Sequence, residues 1–466
     1  MLIYNEPMTA ITDQQQTRLF QQARLARDAR FDGRFFTAVK TTGIYCRSIC
    51  PATPPKEHNV SYFRTATQAA AAGYRPCLRC RPDSAPGSAA WLGSQSVVQR
   101  AMRLIQQGWL NDHGLGELAS YLGITDRYLR QLFQKNLGTA PKHFAQYHQC
   151  LFAKQLIHQT SLAMSEVALA SGFNSVRRFN DCFKKMLLVT PSDIRRRSAE
   201  AQNSDLRLKL FYRPPYNWTA MHRFLSVRVL KGLEQLSESA YGRSISLNGQ
   251  QGFFTATHLP TQHAFDVRLD WSDLSQLRTV VNQIRRVLDL ESDAEHIRQH
   301  LQPLLPIAFQ WHEGLRLPGT WSLFEAGVRA ILGQQVSVSA ACQLTQQLID
   351  ELGQKAHGRT YFPEPAVLEN RSLDFLRMPG SRKQTLRNLA AHLLRYPDSE
   401  PADWASIKGI GPWTIQYTQL RGMGAPDIYL DGDAGVKKAL RLFPADFDAQ
   451  QAAPWRSYLT FQMWQQ

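Results

Sequence analysis

Four cysteines carry the most explicit chemistry in the chain. Cys46, Cys50, Cys77 and Cys80 are spaced C-x3-C, 26 residues, C-x2-C. Each close pair lets two thiolates reach one ion, and four thiolates around Zn²⁺ make a closed tetrahedral site, so the spacing predicts bound Zn²⁺. By spacing alone a purely structural role is the default. Cys150, Cys182 and Cys342 stand apart in the sequence and are expected to be ordinary buried residues. A second constellation lies in residues 405–441. Gly409-Ile410-Gly411 separates two short apolar-periodic runs, Trp413 follows, and Asp433 comes 20 residues after Trp413. Glycine permits a tight turn and brings bare backbone N–H groups close to a docking group such as a phosphate. Asp431 and Asp433 both precede GVKKALRLF, where either could cap a helix.

The elements that position these groups fall into four stretches. Residues 14–30 read as a charged amphipathic helix, followed by a strand-like run into Cys46 and a second helix over Thr67–Ala72. Residues 83–90, DSAPGSAA, read as a linker. Residues 95–198 are helical by pattern, with a near-repeat of 50 residues in which Leu129, Phe133, Lys135 and Pro141 recur as Phe179, Phe183, Lys185 and Pro191. Each copy follows a short helix and a tight turn, which gives two helix-turn-helix units. Arg127, Arg130, Arg177 and Arg178 sit near the starts of the candidate recognition helices. Leu188 takes the place of Gly138, a helix-capping glycine, so the second unit is expected to end differently. After a polar linker at 199–205, a strand, a helix at 219–230 and several short strands predict a small antiparallel α+β unit. The expected fold class is therefore multidomain, mainly α with α+β parts. The expected domains are 1–86, 91–198, 206–300 and 301–466.

The 466 residues are 43% hydrophobic and 20% charged, which suits globular domains with real cores. Of the formal net charge of +16, 13 units fall in residues 1–200, which favours a polyanion partner. No basic-then-apolar leader and no membrane-length apolar run is present, so the expected location is the cytoplasm, where thiols stay reduced.

Three resemblances follow from these stretches. TTGIYCRSIC, HNVSYF and AAGYRPCLRC resemble the zinc domain of the Ada adaptive-response regulators. That resemblance implies that Cys46 accepts a methyl group irreversibly from a methylphosphotriester in DNA. Arg47, Arg75, Arg79 and Arg81 flank the site and are candidates for holding the DNA backbone. The paired helix-turn-helix units resemble the AraC-type DNA-binding domain, which implies promoter DNA and RNA polymerase as partners of a monomeric activator. Residues from about 206 onward, through RPPYNW, LPGTWSLFEAGVRAILGQQVSVSAA and the Gly409–Asp433 stretch, resemble 3-methyladenine DNA glycosylase II of the helix-hairpin-helix superfamily. This resemblance implies that Asp433 is the catalytic carboxylate. It places Phe224, Trp413, Tyr417 and Trp464 at an aromatic base pocket, Gln335 at the wedge that fills the gap left by a flipped base, and Gly409, Ile410 and Gly411 on the DNA. An electron-rich pocket suits a positively charged alkylated purine. Ala434, where an aromatic residue is familiar, implies a wider pocket. Trp413 stands where bifunctional relatives carry a Schiff-base lysine, and Lys408 and Lys437 are out of register, so a monofunctional enzyme is expected. No Pro-Cys-His-Arg run exists for a second methyl acceptor. Two rivals remain, one of them a transcription factor whose glycosylase-like part senses damage without catalysis. The other is a glycosylase whose front half supplies non-specific DNA affinity.

Overall fold

A computed structural model of the chain describes residues 10–28, 31–32, 35–64, 66–77, 79–80, 82, 94–106, 108–197 and 206–466. Both expected linkers and Arg81 lie outside the described residues. The chain divides into two compact units, Met1–Arg103 with Ala119–Gly138, and Leu104–Leu118 with Thr139–Gln466.

The first unit is built on a four-stranded sheet, β1 (Phe36–Val39), β2 (Ile44–Arg47), β3 (Val60–Phe63) and β4 (Arg75–Pro76), in the order β3-β1-β2-β4. Its apolar core is small. Phe20, Ala23, Phe35 and Tyr62 form one cluster, and Phe36, Ala38, Tyr45, Phe63 and Ala69 a second. The first helix runs Gln14–Leu25, capped by Asp13, which accepts a 2.7 Å hydrogen bond from the Gln16 N–H. It stops short of the expected residue 30 because the chain turns left-handed at Arg27 (φ 50°) and the Asp28 N–H returns to the Ala23 carbonyl. The first recognition helix, Asp126–Leu137, is capped by Thr125 and ends at Gly138 in the left-handed conformation.

The second unit holds a five-stranded antiparallel sheet of β5 (Leu206–Phe211), β6 (Glu234–Leu236), β7 (Ala240–Leu247), β8 (Gln250–Leu259) and β9 (Ala264–Asp270), ordered β5-β9-β8-β7-β6. The second recognition helix, Val176–Leu187, belongs to this unit, and its Phe179 and Phe183 share one core with Leu208, Phe254, Phe265 and Val281. The helix Pro141–Gln159 also lies along edge strand β5, where the Gln159 carboxamide accepts from the Lys209 N–H at 2.9 Å and covers an otherwise exposed edge. Leu188 departs from expectation. It adopts φ 58° and returns its N–H to the Lys184 carbonyl, so the second recognition helix ends as the first does, with leucine in the place of glycine. Of the three remaining cysteines Cys150 is buried as expected, whereas Cys182 and Cys342 are half-buried, and the Cys150 and Cys182 sulfurs lie 3.8 Å apart across two helices.

A buried ion network ties the sheet to the helix Leu323–Leu332. Arg243 meets Glu325 at 2.7 Å, Arg329 meets Glu325 at 2.8 Å and Glu234 at 3.3 Å, and the Tyr241 hydroxyl donates to Glu234 at 2.7 Å. Burial would raise the Glu325 carboxyl, yet Arg243 and Arg329 hold it down at about 2. Among the described residues no helix is long and apolar enough to cross a membrane.

Candidate functional sites: a thiolate centre and an aromatic pocket

Strand β2 presents Cys46, the following turn presents Cys50, and Cys77 and Cys80 come from the segment after β4. The four sulfurs lie within 4.8 Å of one another, with Cys50 and Cys77 at 3.9 Å. Tetrahedral Zn²⁺ with bonds of about 2.3 Å requires sulfurs about 3.8 Å apart, so the donor set fits. The hydrogen bond to the Cys50 sulfur, then the one to Cys80 and burial, hold the Cys46 thiol far above its ordinary value, while Cys50 is lowered to about 2. Four crowded sulfurs can all be charged only with a cation between them. Cys77 and Cys80 are buried, whereas Cys46 is partly exposed and lines a cavity of about 800 Å³ with Arg24, Arg27, Arg75 and Arg79. Arg47 corrects the expectation of a free phosphate-holding side chain. It is buried, ion-paired with Asp32, and donates to the Cys80 carbonyl at 3.1 Å, while its backbone N–H points at the Cys80 sulfur at 3.4 Å. Arg47 therefore fastens the ligand loop.

On the recognition helices, Arg127, Arg177 and Arg178 are exposed. Arg130 is exposed too but pairs with Asp126 one turn earlier at 2.9 Å, a contact that DNA phosphate would have to displace.

The glycine turn is built as its sequence suggests at one glycine and not at the other. Gly409 has φ 94°, and a Cβ there would stand 2.0 Å from the Thr385 hydroxyl, so the turn is closed to any larger residue. Gly411 is extended (φ −103°). Ile410 is buried against the Trp404 cluster, which leaves only its backbone for DNA. Gln335 is exposed with φ 55° and lies outside the pocket lining, while its neighbour Gln334 ties the loop to the turn through the Gly409 carbonyl (3.1 Å) and the Thr414 hydroxyl (3.0 Å).

Behind the turn lies a pocket of about 460 Å³ that brings together Phe224, Trp413, Tyr417, Asp433 and Trp464. Trp413 and Tyr417, one turn apart on the helix Pro412–Thr418, stack at 5.1 Å. Phe224, from the Asn217-capped helix Trp218–Ser226, lies parallel to Trp464 at 6.2 Å. Asp433 caps the helix Ala434–Ala439. Its Oδ1 accepts from the Gly435 N–H at 2.8 Å, the Val436 N–H at 3.2 Å and the Trp464 indole N–H at 2.9 Å. Its Oδ2 has no hydrogen-bond partner among the described residues. The cap and pocket roles thus coincide, because the cap fixes the carboxylate's orientation. Asp431 is exposed and outside the lining.

Sequence reasoning missed Arg228, Arg329, Arg421, Lys438 and Cys342, all of which line the pocket. Arg228 lies 3.7 Å over the Phe224 ring, and Arg421 lies 4.8 Å from the same ring and donates to the Tyr417 hydroxyl at 3.0 Å. Part of the aromatic surface expected to meet a cationic base is thus already in contact with guanidinium groups. Burial lowers the Arg228 pKa to about 10. A signal for Arg421 exists, since Trp413, Tyr417 and Arg421 follow at steps of four, although the last sits on a single π-helical turn, Gln419–Met423.

Comparison with known families and relatives finds similar proteins along the chain. Residues 20–83 match the metal binding domain of Ada, residues 118–197 a helix-turn-helix domain, and residues 207–322 the AlkA N-terminal domain. The chain is 35% identical over 470 residues to the probable bifunctional transcriptional activator/DNA repair enzyme AlkA of Mycobacterium tuberculosis, covering 94% of each chain. It is 32% identical over 273 residues to DNA-3-methyladenine glycosylase 2 of Escherichia coli, which covers 55% of this chain and 95% of that one. With the bifunctional transcriptional activator/DNA repair enzyme Ada of Escherichia coli it shares 36% identity over 167 residues, 36% of this chain and 43% of the other.

Proposed function

The chain belongs to the family of bifunctional transcriptional activator/DNA repair enzymes AlkA, a fusion of a zinc-binding DNA-binding regulator with a glycosylase, and from that premise we propose that it excises alkylated bases such as 3-methyladenine from duplex DNA. The observation that carries this reading is Asp433, with one oxygen pinned by three N–H donors and the other free in an aromatic pocket. A base must leave the stack to be cut, and the flipped base fits between aromatic faces. As the glycosidic bond breaks, positive charge grows on the sugar, and a fixed carboxylate stabilises it at no reorganisation cost. Water then completes a monofunctional hydrolysis, with no lysine at position 413 to trap the sugar.

In the other half, Cys46 is the proposed methyl acceptor. Its sulfur takes the methyl carbon of a DNA methylphosphotriester, and the C–O electron pair returns to the phosphate. Bound Zn²⁺ keeps the four sulfurs deprotonated at neutral pH. The methylated protein is proposed to act as a monomeric activator that binds promoter DNA and engages RNA polymerase.

The test is base release from methylated duplex by Asp433→Asn, a near-isosteric loss of charge. Release should fall about 10²-fold or more while DNA binding is nearly unchanged, and Asp431→Asn should cost far less. Full activity in Asp433→Asn removes the catalytic assignment, and no release by the wild type favours a damage-sensing role.

A further inference from the structure

Three guanidiniums in one pocket are unexpected in a site meant for cationic bases, and they differ in how their charge is balanced. Arg329 is neutralised by Glu325 and Glu234. Arg421 donates to the Tyr417 hydroxyl at 3.0 Å and to the Pro318 carbonyl. Arg228 has a single hydrogen bond among the described residues, to the Phe224 carbonyl at 3.1 Å, and no carboxylate at ion-pair distance. Its guanidinium has five N–H donors, so most are unspent, and it lines the same cavity as Asp433. A largely desolvated guanidinium without a counter-charge is costly unless something in its cavity repays it.

A cationic base leaving the sugar takes the bonding electron pair and becomes neutral. It needs no help, and a guanidinium beside it is a mild handicap. A neutral damaged base takes the same pair and departs as an anion, which must be stabilised or protonated before the bond will break readily. A guanidinium half-buried in the pocket wall, as Arg228 is, stabilises such an anion more than one in water does, through charge in a site of lowered dielectric and through N–H donors to a carbonyl oxygen or ring nitrogen. Its contact at 3.7 Å with the Phe224 ring fixes the guanidinium plane in advance of binding.

We propose, resting on the glycosylase reading above, that Arg228 is the leaving-group stabiliser for neutral damaged bases, so that this pocket handles two classes of base by different means. For the cationic class, the Trp413–Tyr417 stack and Trp464 supply the attraction and Asp433 stabilises the sugar. For the neutral class, Arg228 balances the charge on the departing base while Asp433 balances that on the sugar. In both cases water adds its hydroxyl to the sugar; its proton neutralises the departing anion of a neutral base, and passes to solvent where a cationic base has left already neutral.

Single-turnover release should be measured with the full chain on duplexes carrying one 7-methylguanine, which is cationic, or one hypoxanthine, which is neutral and bears a carbonyl. Arg228→Met should slow both, because Phe224 loses a packed neighbour, but should slow the neutral base about 30-fold more than the cationic one. Arg228→Lys keeps the charge and should hold the neutral-to-cationic ratio within about fivefold of wild type. Arg228→Gln keeps donors in similar volume without charge and should behave as the methionine variant does, so the pair Lys and Gln decides the matter if Arg228→Met does not fold. Parallel loss on both bases, or equal ratios for Lys and Gln, overturns the proposal. A wild type that releases 7-methylguanine and never hypoxanthine overturns it too and leaves the glycosylase reading standing. A wild type that releases neither overturns that reading first.

Discussion

The thiolate centre draws its donors from the short stretch Cys46–Cys80, whereas the aromatic pocket collects side chains from Phe224 through Trp464. The first has little apolar core beneath it, two clusters of four and five buried residues. The second stands on clusters that include Leu420, Leu430, Phe461, Leu389 and Trp404, and on a buried Arg–Glu network. The difference is one of what holds the site in place. A metal held by neighbouring residues replaces a core that a small sheet cannot supply. A pocket gathered from distant segments needs tertiary packing first, and its chemistry follows from that packing.

Metal removal tests this contrast with the largest effect. Structural zinc contributes folding free energy directly, on the order of 10 kcal/mol in small zinc domains. Chelation should therefore expose the backbone amides of β1 to β4 to hydrogen exchange, while those of β7 to β9 stay protected. Protection of both regions after chelation would show that the small core suffices on its own.

Acidification should separate the two regions by sign. Thiolate ligands must be deprotonated, so falling pH loosens the zinc centre. In the second unit Asp289 is half-buried beside Tyr458, which donates to it at 3.0 Å, and desolvation raises its carboxyl to about 6. The folded state thus keeps that proton up to about pH 6, while the unfolded chain releases it near pH 4. From this group, stability declines as pH rises from about 4 to 6, by up to about 3 kcal/mol, and is regained on acidification. Denaturant melts of the second unit's signal across that range should show the slope, and Asp289→Asn should flatten it. An unchanged slope in the variant would assign the dependence to another group.

The same contrast governs what could be read from sequence. Cysteine spacing announces a metal site because the ligands are neighbours, and the Gly409–Asp433 register announces the carboxylate because turn and cap are local. Arg228 was invisible as a functional group, since an arginine near a helix end is ordinarily solvated and only packing from other segments half-buries it, whereas Arg421 left only the four-residue spacing from Trp413 and Tyr417. Arg47 misled in the opposite direction, because its partner Asp32 lies 15 residues away. Leu188 shows a local rule overridden. A left-handed leucine costs roughly 1–2 kcal/mol, yet the fold of the repeat imposes the turn. Residues 199–205 read as a linker between independent parts, but the sequence could not show that Phe179 and Phe183 share a core with β5 to β9.

The smallest expected effect concerns how the thiolate centre meets DNA. Zn²⁺ with four thiolates carries a formal charge of about −2, and methylation of Cys46 reduces it to about −1. The cavity around Cys46 also holds the exposed Arg27, Arg75 and Arg79, while Arg24 is buried and paired with Glu57, so the site opposes the attraction of its own cationic rim for phosphate. Removing one negative charge should act like adding one phosphate contact. The plot of log affinity against log salt should steepen by about 0.9, and a gain of about tenfold at low salt should shrink as salt rises. On the proposed glycosylase reading the aromatic pocket offers no such switch, since a released base restores the starting charge. Duplex titrations of unmethylated and Cys46-methylated protein over a salt series would measure the slopes. Parallel lines displaced by a constant factor would mean that methylation acts through shape at the contact surface, and the electrostatic account of the zinc half would fall.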